Sequence, residues 1–125
     1  MRVRLPGTQA MSPVVLVVLG LLAAGLFMNV AWYLHLGRMR HLPWWNAALL
    51  SWGIALCEYL IQVPANRLGA KYLPTASLKI LAEAASLLSF VAVSLFLLRE
   101  PLDRNYAVAA GLVLVAAWIA VARPL

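Results

Sequence analysis

Between Arg4 and Arg38 the chain carries no Asp, Glu, Lys or Arg, a gap longer than the roughly 20 apolar residues that cross a hydrocarbon core. A run of this kind belongs in a bilayer. The rest of the sequence agrees. Of 125 residues, 65% are apolar and only 11% charged, and the mean hydropathy is +0.90, whereas a soluble domain is near half apolar and a quarter charged. Ten basic residues face four acidic ones. The cations mostly flank apolar runs, where headgroups and topology account for them, so nucleic acid is not an expected partner.

Four apolar segments can be marked at 13–36, 43–63, 78–98 and 106–122, between a tail at 1–12 and a short end at 123–125. Lipid offers backbone amides no hydrogen-bond partner, so each segment must be helical. The expected fold is therefore an all-α polytopic membrane protein with four transmembrane helices, short loops and both ends on one side. Arg2 and Arg4 before an apolar run also suit a cleaved signal peptide. That run, however, is much longer than a signal core and ends in Trp32 and Tyr33, which favours a retained span. Pro13 and Pro43 suit first helical turns, Pro64 should end or kink the second helix, Thr75 or Ser77 can cap the third, and Arg99-Glu100-Pro101 should break the chain before the fourth. Trp32, Tyr33, Trp44, Trp45 and Tyr72 fall at span ends, where an aromatic belt is expected. Cys57 is expected to be a small buried apolar residue. Gly20 with Ala24, and Ala107 with Gly111, have the spacing that lets helices approach closely.

Orientation is weakly specified. Arg2, Arg4, Arg67, Lys71 and Arg123 lie on the terminal side and Arg38, Arg40, Arg99 and Arg104 on the other, and a start at Met11 would reverse the balance. Insertion in both orientations is compatible with such a count.

Three charges fall within the spans: Glu58 in the second, and Lys79 and Glu83 in the third. Each costs about 3 kcal/mol at mid-membrane and so needs protein, water or a partner. With the spans centred on Gly53 and Leu88, Glu58 and Glu83 share one depth, and Gln62 and Lys79 form a second polar layer one turn outward. If the second and third helices pack face to face, two carboxylates share one ammonium. Two readings follow. In one, Lys79 and Glu83 form a structural i,i+4 pair and Glu58 bonds to its neighbours. In the other, two acids near one cation do not both ionise cheaply, and one exchanges a proton for a cationic substrate. Trp52 near mid-membrane and Trp118 near the depth of the acids are candidate aromatic walls for such a cation. Asn29 is expected to bond between helices.

The runs MNVAWYLHL, PWWNAALLSWGIALCEYLIQVPANRLG and SLKILAEAASLLSFVAVSLFLLREPLDRN together resemble a small four-helix family of inner-membrane proteins in the drug/metabolite transporter superfamily. The most specific pieces are Glu58-Tyr59, the run from Gln62 to Arg67, Glu100-Pro101 and Asn105. The resemblance implies fold and superfamily and carries no substrate with it. Small multidrug-resistance proteins are similar in size, but their first-helix carboxylate has no counterpart, since no acid lies between Met11 and Leu36.

The leading expectation is a small transporter, proton-linked or facilitative, acting as a homodimer in a bacterial inner membrane on an unidentified metabolite or cation. The alternative is a non-transporting membrane subunit whose polar layer fixes helix register. An enzyme is not expected, nor is a metal or a cofactor: His35 and His41 lack spaced partners, and no nucleophile with its base appears.

Overall fold

The computed structural model describes residues 12–125, all helix and connection, with no strand among them. Arg2, Arg4, Met11 and the rest of the expected tail at 1–11 lie outside the described residues. Helix α1 spans Pro13–Gly37, α2 Trp44–Gly69, α3 Thr75–Ala92 and α4 Arg104–Ala122, and a π-helical segment, Val93–Leu98, prolongs α3. With that extension, all four helices are long and apolar enough to cross a membrane. The protein is an integral membrane protein.

Helix ends follow local chemistry, with two departures from expectation. Pro13 opens α1, where a missing N–H costs nothing. Pro64 does not end α2, which runs on to Gly69. A proline is tolerated inside a membrane helix because neighbouring groups satisfy the freed carbonyl. Pro74 occupies the cap of α3 in place of Thr75 or Ser77, and the Ser77 hydroxyl instead donates to the Ala120 carbonyl of α4 at 2.8 Å. Asp103 caps α4, its carboxylate accepting from the Tyr106 amide at 2.8 Å. The π segment closes through Arg99, held at a φ of 55°, while the Glu100 amide donates to the Ser94 carbonyl and the Ser94 hydroxyl donates to the Glu100 carbonyl.

The packed pairs are α1 with α2, α1 with α3 and α3 with α4. The second and third helices are not a packed pair, contrary to the face-to-face expectation. Small residues on α1 explain why it stands between them. A Cβ on Gly20 would meet the Ala65 side chain of α2 at 3.0 Å, and one on Gly25 would meet Ser89 Oγ at 2.9 Å and the Ser86 Cα at 3.2 Å on α3. Two faces of one helix thus admit two neighbours at close range. Val17, Leu21, Ala65, Leu78 and Ala85 fill the seam. Asn29 donates to the Ser86 carbonyl at 2.9 Å, the expected interhelical bond, and Ser89 donates to the Leu22 carbonyl at 2.7 Å.

Helix α4 is peripheral. Ala117 is its one buried residue, and its packed neighbour among the described residues is α3, with the Ser77 bond and a bond from the Tyr106 hydroxyl to the Leu87 carbonyl at 2.9 Å joining the two. A Cβ on Gly111 would meet nothing within 4 Å among the described residues, so the close approach expected of the Ala107 and Gly111 spacing is not made there. Tyr33 leaves the expected belt to pack edge-on against Phe90, which leans on Tyr106. Cys57 is exposed rather than buried, on an outward face of α2 where lipid suits a thiol as well as protein does. Because two hydrogen bonds join α3 and α4, Ser77→Ala and Tyr106→Phe should each cost about 1 kcal/mol. The pair together should raise amide exchange in α4 while leaving α1 and α3 protected, as hydrogen exchange in detergent will show.

Candidate functional site

Because α1 holds α2 and α3 apart, a groove of about 600 Å³ opens between them, within the usual size of small-molecule sites. Leu21, Gly25, Met28 and Trp32 of α1 form its back, one stripe at helical spacing. Glu58, Tyr59, Gln62, Asn66 and Arg67 line the α2 wall, and Lys79, Glu83 and Ser86 the α3 wall. Glu58, Glu83, Lys79 and Gln62 therefore share one cavity, as the sequence suggests. Trp52 and Trp118 do not join them: they are 71% and 60% exposed on outward faces.

The charges are arranged differently from the expected shared ammonium. Lys79 pairs with Glu83 one turn along α3, and both side chains are open to the groove, at 73% and 56% exposure. That is the one salt bridge among the described residues. Glu58 is only 5% exposed, and its Oε2 has no hydrogen-bond partner.

Depth explains the separation. Gly69, Leu78 and Val17 meet in one layer near the α2–α3 turn, so closely that a Cβ on Gly69 would collide with both neighbours. Counting from there at the helical rise, Glu58 lies about 16 Å along α2 and Glu83 about 8 Å along α3. The acids are about one and a half turns apart, and the level of Glu83 falls between Gln62 and Asn66. The acids are thus offset from one another while staying within two turns of the expected common layer, because α2 continues past Pro64 and its centre moves from Gly53 towards Cys57.

Trp32 and Tyr59 supply the aromatic surface of the groove. Trp32 had the look of a belt residue, since only the turn of α1 shows that its ring reaches the cavity. Asn66 and Arg67 were hidden by the expected break at Pro64, although Asn66 continues the stripe of Glu58 and Gln62 by one more turn.

A second cavity, of about 500 Å³, lies between the opposite ends of α1 and α2. Tyr33, His35, Trp44, Ala47 and Ser51 line it, and Trp32 lines it too. The Ser51 hydroxyl oxygen is buried without a partner. Ser51 Oγ and Glu58 Oε2 are the two such side-chain atoms among the described residues.

No curated protein and no solved structure matches the chain. One family does, the one described as "Putative member of DMT superfamily (DUF486)", DMT standing for drug/metabolite transporter. With a match over residues 15–121 that takes in nearly all of the four membrane-length helices, the chain belongs to that family.

Proposed function

We propose that the protein is a small proton-linked transporter of the drug/metabolite type, acting as a homodimer in a bacterial inner membrane, with Glu58 as the group that exchanges a proton for a cationic metabolite. The observation that carries this reading is the buried carboxyl of Glu58, with an unused oxygen at the wall of a ligand-sized groove. Buried acids are ordinarily paired or fully hydrogen-bonded, because an unmet polar group in an apolar wall costs about 1 to 3 kcal/mol. A bound ammonium supplies the missing partner. Tyr59 and Trp32 line the same cavity, and ring faces attract cations. The carboxylate oxygen accepts the cation as its proton leaves to water, and a returning proton displaces the cation.

Lys79 and Glu83 neutralise one another and leave the groove polar without adding net charge. Charged side chains this open do not sit against lipid at low cost, and four helices enclose little interior, which is why a second copy of the chain is part of the proposal. The test is titration of the purified protein with organic cations at several pH values. Affinity should rise about tenfold per pH unit where one proton is exchanged, with one proton released per cation bound. Affinity flat in pH, together with cross-linking to a different membrane protein and never to a second copy, would favour the non-transporting subunit instead.

A further inference from the structure

The two cavities reach opposite ends of the helices. The first includes Ala70 and Thr75 at the α2–α3 turn, and the second includes Trp44 at the start of α2 and His35 near the end of α1. Trp32 lines both. Each cavity also has one buried oxygen without a partner, Glu58 Oε2 in the first and Ser51 Oγ in the second. These residues are seven apart on α2, hence on one face and about 10 Å from each other along the axis.

We infer that the two cavities are halves of one route across the protein, that Trp32 is the partition between them, and that Ser51 marks a second binding station for an organic ammonium on the far side of it. This rests on the reading of Glu58 as the cation-binding group. A cation leaving the carboxylate needs a new acceptor, and a neutral hydroxyl oxygen provides a weaker one. Tyr33 and Trp44 place aromatic surface around it, as Tyr59 and Trp32 do around Glu58. A station without charge binds loosely and releases readily, the property wanted in the second half of a route. Trp32 meets Tyr33 edge-on with ring centres 6.1 Å apart and is itself half exposed, so its ring is not locked in a packed core. Rotation of that one side chain joins the cavities.

Thiol accessibility tests this without any ligand, so its outcome is separate from that of proton exchange at Glu58. In Cys57→Ala protein reconstituted into vesicles, a membrane-impermeant methanethiosulfonate is added outside. Arg40→Cys, in the α1–α2 loop, and Lys71→Cys, in the α2–α3 turn, mark the two sides. Labelling is read as a fraction, in vesicles where the Arg40→Cys and Lys71→Cys fractions differ. Ser51→Cys should be labelled to the same fraction as Arg40→Cys, and Gln62→Cys to the same fraction as Lys71→Cys. Adding Trp32→Ala should carry both probes to complete labelling. Ala48→Cys, which lines the second cavity, serves as a second probe should Ser51→Cys not fold. If neither probe of the second cavity is labelled, or if Trp32→Ala leaves both fractions unchanged, the route does not exist as drawn.

Discussion

Replacing Gly25 with valine should force α1 and α3 apart and cost about 3 kcal/mol or more, the upper range for overpacking a close contact. A single Cβ at this position already meets Ser89 Oγ at 2.9 Å and the Ser86 Cα at 3.2 Å. The second of these is backbone and has no rotamer by which to move away. Separation also breaks the bonds from Ser89 to the Leu22 carbonyl and from Asn29 to the Ser86 carbonyl, leaving buried groups unmet at about 1 to 3 kcal/mol each. Gly53→Ala and Gly111→Ala provide the comparison, since a Cβ at either position meets nothing within 4 Å. Those two should be neutral or stabilise the helix by up to about 1 kcal/mol. Thermal unfolding in detergent reads all three; equal losses in all of them would mean that Gly25 is not the contact that sets the α1–α3 distance.

The number of helices was legible in the sequence because it depends on lipid alone. Four apolar runs in a medium that cannot hydrogen-bond to backbone have one solution, and the helices found, α3 taken with its π extension, differ from the expected spans by at most six residues at any end. Neighbour relations were harder to read. Both α2 and α3 carry polar stripes, and matching polar faces is reasonable when only stripes are compared. What decides the packing is how closely backbones approach, and Gly20 and Gly25 give α1 that property on two faces at once. Gly20 stands out by its spacing to Ala24, whereas Gly25, which lies outside that spacing, makes the closer contacts.

Within the site, residue type was more legible than depth. Glu58, Lys79, Glu83 and Gln62 stand out because charge and amide are expensive in lipid, and all four line the groove. Their layers are offset through one proline. Ending α2 at Val63 puts Glu58 level with Glu83, while running it to Gly69 lifts Glu58 away from Lys79. Trp52 and Trp118 miss the groove for a related reason: counting along a helix fixes their depth, but whether a ring faces groove or lipid depends on the azimuth of a helix set by its neighbours.

Glu58→Leu should stabilise the fold and abolish cation binding together. The carboxyl is 5% exposed, unpaired, and has an oxygen without a partner. Replacing buried ionic groups by apolar ones of similar size is often neutral or stabilising, by about 1 to 4 kcal/mol where it helps. A residue that holds the structure together gives the opposite sign, a loss on removal. Glu58→Gln keeps the shape and the hydrogen-bonding capacity without a titrating proton, so it should keep the fold and lose both the proton released on binding and the rise of affinity with pH. Glu83→Gln is the control. Its partner Lys79 is open to the groove and loses one exposed ion pair, an interaction worth about 0.3 to 0.5 kcal/mol on a helix surface. Proton release should therefore survive in Glu83→Gln and vanish in Glu58→Gln. Lower thermal stability in both Glu58 variants, with proton release unchanged in Glu58→Gln, would make Glu58 a structural residue and remove the chemical basis for exchange at this site.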